Sequence, residues 1–396
     1  MRHCKDCEPA QTIHWLAYWG VWLTYITEPF YNFMGMCLRP IMEPISNRLS
    51  IIFIKSMVFL KLGYFTNKPN DKNNLRAKCF WDEAIARGIK MREFHMGPVN
   101  DTFLVEYNGK TLTFGGLPRI NSSHSASFKW MDDKGKMSKK FKKIGIPVAD
   151  GGVAMTKKRA IEIFKHIRKP VITKPNLGSR SRHTTIHINT TEELIIGFKK
   201  ANILSPFVIV EEELHGSLFR ASIVDGKLEG VVRRDPPQIT GDGIHTVREL
   251  WQKENNRPER AHGPIFHQIT YDKDAEVELT RQDIAMEPIL MNGQIVTFSQ
   301  KTSRGVGGST TEVTKIVHKD NIEMFEKLGA FLKDPLVGVD FIMEDITKSG
   351  HAQPRAGIIE CNSLPFIDLH CYALFGEPNN VAAKLWDFVF PESKLK

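Results

Sequence analysis

Two stretches decide the reading of this chain: Gly338-Val339-Asp340-Phe341-Ile342 and, after a polar insert, Ile358-Ile359-Glu360-Cys361-Asn362. Each is a short apolar run, read as a strand, that carries hard oxygen ligands. Side by side, the two strands would gather Asp340, Glu360 and Asn362 around one point. Carboxylates and an amide oxygen suit magnesium, with manganese as the alternative ion, and such an ion commonly shares itself with substrate phosphates. The plainer reading of the trio is two capping carboxylates and a turn asparagine. Its placement on apolar strands favours the metal, and with it nucleotide chemistry.

Working outward, Val171-Ile172-Thr173-Lys174-Pro175 is a strand that runs into Asn176-Leu177-Gly178-Ser179-Arg180-Ser181. A loop of small polar residues exposes backbone N–H groups that can hold phosphate oxygens, and Lys174 adds a point charge. The alternative is a plain surface turn. The apolar strand Val208-Ile209-Val210 ends in Glu211-Glu212-Glu213-Leu214, where backbone groups can meet an adenine edge; a solvated acidic cap is the other reading. Arg220, Arg233 and Arg234 flank an Asp225-Gly226 hairpin turn. An arginine that faces inward from a strand needs an anionic partner. Gly305-Val306-Gly307-Gly308-Ser309 is a further loop near predicted strands.

The rest of the chain alternates helix and strand. Helices are expected over residues 77–88, 134–144, 157–166, 191–201, 247–255 and 320–332. Strands are expected over 89–114, with an Asn108-Gly109 hairpin turn, and over 207–212. Residues 11–27 lack Asp, Glu, Lys and Arg and are dense in aromatics, with Glu28-Pro29 expected to interrupt them. A second apolar run, 49–65, carries Lys55 and Lys61. Three readings stand open for this segment: packing on the body or a homo-oligomer contact, peripheral membrane contact through residues 11–65, or a membrane span for which residues 11–27 are short. The length of 396 residues fits two or three domains. The net charge of +9 is scattered, no nucleic-acid motif accompanies it, and anionic small molecules account for its sign. Six cysteines make no disulfide scaffold at this length. Cys4-Lys5-Asp6-Cys7 is a lone CxxC without a visible second pair, so free thiols are expected there. No signal peptide is evident.

The order Asp133-Lys134, Lys174-Pro175, Val210-Glu211, Arg234, Gly307-Gly308, Asp340 and Glu360-Cys361-Asn362 resembles the ATP-grasp carboxylate–amine ligases. It is most similar to the ATP-grasp domain of cyanophycin synthetases and of bifunctional glutathione synthetases. Residues 209–260, with the Gly241-Asp242-Gly243 turn and the Glu254-Asn255 helix end, carry the most specific part. The ending Glu360-Cys361-Asn362-Ser363-Leu364-Pro365 is also similar to D-alanine–D-alanine ligases. The resemblance covers roughly residues 130–392. It implies an α+β ATP-grasp fold, two α/β subdomains clasping ATP, over 130–396. A small α/β domain over 71–129 and a helical aromatic segment over 1–70 are expected before it.

It further implies that Lys134, Lys174 and Ser179 bind ATP phosphates and that Glu211, Glu212, Glu213 and Leu214 line the adenine. Asp340, Glu360 and Asn362 would hold the metal. Arg234 and Lys174 would serve the transferring phosphoryl group, and Arg220, Arg180 and Ser363 the substrates. Four positions depart from the pattern. Ser181 and His183 stand where glycines are common, so that Arg180, Arg182 and His183 are expected to contact phosphate or substrate. Leu218 stands where an acidic ribose ligand is frequent. Phe366 replaces the family glycine beside the acceptor.

The expectation is therefore an ATP-dependent, cytoplasmic ligase that joins an amino-acid or peptide carboxylate to an amine through an acylphosphate. The alternatives are a nucleotide-binding module without catalysis and a membrane-surface or scaffold protein acting through its N-terminal segment. Replacing Asp340 or Glu360 by alanine is expected to abolish turnover and spare the fold, on the view that these ligands face the surface.

Overall fold

The computed structural model describes residues 4–7, 11–69, 73–97, 99–122, 125–126, 130–178 and 182–395. After a short 3-10 turn at Lys5–Cys7 comes a single helix, α1 (His14–Phe59), of 46 residues, roughly 70 Å long at 1.5 Å per residue. The expected break at Glu28-Pro29 does not occur. An interior proline removes a helical hydrogen bond, but tertiary contacts hold the backbone on both sides of it. Tyr25 packs on Phe207 with ring centroids 4.2 Å apart, and the Glu28 carboxylate pairs with Lys136. Farther along, Asn47 caps an edge strand, accepting from the Thr113 N–H at 2.9 Å.

After α1 come β1 (Tyr64–Thr66), α2 (Leu75–Ala86), β2 (Lys90–Met96), β3 (Val99–Tyr107) and β4 (Lys110–Gly115), the strands forming one antiparallel sheet in chain order. The Asn-Gly hairpin sits where the sequence places it, with Tyr107 opposite Lys110.

A second unit follows: α3 (Lys134–Lys143), β5 (Gly151–Ala154), α4 (Lys157–His166), β6 (Val171–Pro175), β7 (Thr185–Ile188), α5 (Thr191–Asn202) and β8 (Val208–Glu212). Its sheet runs β5-β8-β6-β7. Local signals set the helix starts. Asp133 caps α3, Thr156 caps α4, and Thr190 with Glu193 makes a capping box for α5.

The third unit holds β9 (Ser217–Val224), β10 (Lys227–Asp235), β11 (Gln238–Thr240), α6 (Val247–Asn255), α7 (Pro258–Ala261), α8 (Lys273–Arg281), β12 (Ile295–Thr297), β13 (Ser309–Glu312), α9 (Lys319–Leu332), β14 (Leu336–Met343), β15 (Gly357–Asn362), α10 (Asp368–Cys371) and α11 (Val381–Val389). Its main sheet runs β13-β10-β9-β14-β15, all antiparallel. The segment between β10 and β13 buries a small core of its own around Ile239, Leu250, Leu279 and Phe298. The α+β expectation is met.

The first sheet does not close on itself. Its core runs into the C-terminal helix, where Trp386 stacks on Phe80 at 4.1 Å and donates its indole N–H to the Phe80 carbonyl. Many apolar side chains of α1 remain exposed, among them Trp15, Trp19, Leu23, Ile26 and Phe30. Among the described residues no helix is long and apolar enough to cross a membrane.

Candidate functional site

A cleft of about 690 Å³ lies between the second sheet and the third-unit sheet. Lys134, Lys174, Glu211–Leu214, Arg234 and Glu360 all line it. The fold thus brings together residues spread over more than two hundred positions. Lys174 reaches it from the end of β6, its ammonium 2.6 Å from the Glu211 carboxylate on β8. Lys134 is the first residue of α3 and donates to the Gly178 carbonyl, so it rests against the phosphate-loop candidate. Burial lowers its pKa, as does Lys174, while the Glu360 charge works the other way. Lys134 is thus held by a neutral carbonyl, which leaves its charge for a polyanion, while Lys174 is paired with Glu211.

The strand end at residues 211–214 is tied down. The Glu212 N–H goes to the Asp150 carbonyl and the Glu213 N–H to the Pro170 carbonyl. The Glu212 side chain accepts from Arg168 at 2.8 Å, and that of Glu213 pairs with His187 at 2.8 Å. These two amide N–H groups and two carboxylates are therefore structural. An adenine edge would be met by Leu214 and by carbonyl oxygens, which keep a second lone pair. The turn that follows requires Gly216, at φ +114°, where a Cβ would sit 2.2 Å from the Met343 backbone.

The metal trio lies on neighbouring antiparallel strands, Asp340 opposite Glu360 and Asn362 opposite Gly338. The register is the one the two apolar runs suggest. Glu360 lines the cleft, and burial raises its carboxyl above the ordinary range. Asp340 stands behind it, 6% exposed, its carboxylate gripped by the Nε and Nη2 of Arg220, the latter at 2.7 Å. The view of these ligands as surface groups that the fold can spare is thus corrected. Asp340 and Arg220 form a buried pair. Arg220 turns to Asp340 and is not among the residues that line the cleft.

Arg234 is 3.9 Å from the same carboxylate, and burial lowers its pKa, with Arg220 and Arg304 adding to the effect. Arg220 Nη1, Arg234 Nε and Arg304 Nη1 are buried donors without hydrogen-bond partners among the described residues. Arg220 pairs with Asp340 and Arg304 with Asp368, while Arg234 reaches a carboxylate only at 3.9 Å among the described residues. The donor set, two carboxylates and an amide oxygen beside unpaired cationic N–H groups, fits a divalent ion carried with phosphates.

Ser363 directly follows β15 and is half-buried. Ser179 and Arg180, like Ser181, lie outside the described residues. Arg182 lines the cleft and donates to Thr12 at 2.9 Å. His183 does not face a phosphate site: it is buried and turned toward Cys4, Cys7 and His14. The expectation of phosphate or substrate contact at His183 is corrected accordingly.

Sequence reasoning missed the roof of the cleft. Thr12, Ala17 and Val21 line it. The Tyr25 hydroxyl donates to Asp133 and accepts from Asn176, and burial together with the Asp133 charge pushes that phenol upward. The aromatic density of residues 11–27 was the available signal, but nothing in it says which surface it covers. Ser222, His370 and Glu312 form a hydroxyl–imidazole–carboxylate chain with 2.9 Å links. Ser222 and His370 are fully buried, so the chain braces β9 against α10 and offers no nucleophile.

No protein-family model matches the chain. Cyanophycin synthetase of Synechocystis sp. is 30% identical over 254 residues, 61% of this chain and 29% of that protein. The glutathione biosynthesis bifunctional protein of Listeria innocua is 27% identical over 324 residues, 80% of this chain and 41% of that protein. The crystal structure of a bifunctional glutathione synthetase from Pasteurella multocida superposes with a TM-score of 0.60 at 20% identity, covering 80% of this chain and 43% of that one. The chain spans less than half the length of these relatives. These similarities in sequence and architecture agree with the site's geometry and support kinship with the ATP-grasp ligases.

Proposed function

We propose that the chain is an ATP-dependent ligase that joins a carboxylate to an amine, with amino acids or short peptides as substrates. One observation carries the reading. A single cleft presents Lys134, Lys174 and Arg234 to a polyanion and Glu360 to a cation, with Asp340 directly across the strand pair from Glu360. A magnesium ion held by Asp340, Glu360 and Asn362 would neutralise phosphate charge.

The residues supply placement and electrostatics. Lys174 and Lys134 would position the phosphates, and the Leu214 end of β8 would receive the base. Arg234, with an unused Nε–H, would stabilise charge that develops on the phosphoryl group as the acceptor carboxylate attacks it. The acylphosphate so formed carries a good leaving group. Attack of an amine on its carbonyl carbon releases phosphate and leaves an amide. No side-chain nucleophile is needed, in keeping with the buried state of Ser222.

The names of the relatives support amino-acid and peptide substrates. Phe366, 53% exposed, with the Arg76 guanidinium 5.9 Å from its ring, makes an acceptor side of this chain's own. Calorimetric titration of ATP with magnesium into the chain tests the nucleotide half of the proposal. Binding that Glu360→Gln weakens only when magnesium is present supports it. Absence of binding overturns it.

A further inference from the structure

We infer that Cys4, Cys7, His14 and His183 form a tetrahedral zinc site that fastens the N-terminal segment beside the nucleotide cleft. One ligand atom from each of the four lies within 4.8 Å of the other three. Cys4 Sγ is 3.6 Å from His183 Nε2, and Cys7 Sγ is 3.4 Å from both His14 Nε2 and His183 Nε2. Zinc bonds of about 2.3 Å to sulfur and about 2.0 Å to nitrogen, opened to the tetrahedral angle, put sulfur and nitrogen about 3.5 Å apart. The three distances match the edge of that tetrahedron.

The chemistry of the four atoms agrees. The His183 Nδ1 lies 2.9 Å from the Lys200 carbonyl and can only donate to it. That fixes the tautomer and leaves the Nε2 lone pair aimed at both sulfurs. Such an outer hydrogen bond is the usual companion of a ligating histidine. Thiol hydrogen bonds alone serve the cluster poorly, because Cys7 has one proton for two imidazole nitrogens. Two thiolates and one zinc ion would satisfy all four groups and sum to zero charge in a buried place. Sulfur and imidazole ligands in tetrahedral array select zinc over the harder ions of the carboxylate site.

The backbone is built to the same end. His183 holds φ +53°, in the left-handed region that histidine adopts more readily than most side chains. Gln11 grips Cys4 at both backbone groups, at 3.0 and 3.1 Å. Asp6 pairs with Lys200 at 2.7 Å. Cys4 and Cys7 are free of disulfides, as expected, and the second pair of ligands that the sequence did not show would be His14, at the start of α1, and His183, at the far side of the phosphate-loop candidate. The ion would cross-link positions 176 residues apart and hold Thr12, Ala17 and Val21 over the cleft.

The test is metal analysis of the full chain purified without chelators. One zinc per chain is expected, falling to a small fraction in Cys4→Ser and in His14→Ala. Both residues are only half-buried, so little packing is lost. Glu360→Gln should keep its zinc, which separates this site from the cleft. A second measurement needs no variant: adding cobalt to chelator-stripped chain should give tetrahedral visible bands and a thiolate charge-transfer band. Substoichiometric zinc with a featureless cobalt spectrum, or zinc that disappears with Glu360→Gln and persists in Cys4→Ser, would overturn the inference. Neither result depends on ligase activity, so the site and the proposed reaction stand or fall separately.

Discussion

Replacing Asp340 by alanine should destabilise the chain even without nucleotide. Asp340 and Arg220 are 6% and 4% exposed, with one oxygen–nitrogen contact at 2.7 Å. At an effective dielectric constant of about 20 their gross attraction is roughly 6 kcal/mol. Most of that offsets the cost of burying two charges. The measurable loss comes from stranding one of them, about 3–5 kcal/mol. Arg220 would be left near Arg234, with Glu360 as a remaining nearby negative charge. That partial substitute places the expected loss near 3 kcal/mol. Urea unfolding followed by fluorescence and circular dichroism would report it. With a slope of about 3 kcal/mol per M, the midpoint falls by about 1 M. Arg220→Met combined with Asp340→Leu removes both charges and should recover most of the loss. The reasoning is refuted if Asp340→Ala unfolds at the wild-type midpoint, or if the double variant is as unstable as the sum of its singles.

Lys174→Met should raise the ATP dissociation constant by about tenfold to a hundredfold, the value of one charge-assisted contact; an unchanged constant in calorimetry would remove Lys174 from the phosphate site. Tyr25→Phe takes a partner from Asp133 and Asn176 and should cost about 1–3 kcal/mol. Hydrogen exchange should then quicken in the first half of α1 before it does in β14, and uniform quickening would contradict the contact. Because burial raises the Glu360 carboxyl, this residue's contribution to metal-free stability is fully present at acid pH and is lost as pH rises through the raised value. A magnesium ion needs the carboxylate, so thermal stabilisation by ATP with magnesium should be larger near neutral pH than at about pH 5. Glu360→Gln should level that difference, and an equal effect at both pH values in the wild-type chain would speak against Glu360 as a ligand.

The parts of the fold legible in the sequence are those where local chemistry agrees with tertiary structure. Asn108-Gly109 and Asp225-Gly226 specify their hairpins, and Thr190 with Glu193 announces a helix start. The two apolar runs around Asp340 and Glu360 pair in the register that faces both carboxylates one way. What stayed illegible is long-range. Nothing near Pro29 shows that Phe207, Asp133 and Lys136 will keep α1 continuous through it. Nothing near Cys7 shows that His183, 176 residues later, closes a four-ligand cluster. Asp340 looked like a surface ligand because a strand pattern gives the face but not what covers it, and Arg220 covers it. In the second unit α3, α4, α5 and the inner strands β6 and β8 are legible, whereas the edge strands β5 and β7, four residues each, are too short to announce themselves. The small core between β10 and β13 is not, because its elements are short and its strands few.

The central claim is amide ligation, and the most direct test is magnesium-dependent phosphate release from ATP with amino acids and short peptides offered singly and in pairs. The expected result is release of ADP and phosphate with a particular acid–amine pair, accompanied by one new amide in the mass spectrum, lighter than the summed substrates by one water. Tight ATP binding with no pair-dependent release, and no amide formed from any pair, would contradict the claim and leave a nucleotide-binding module in its place.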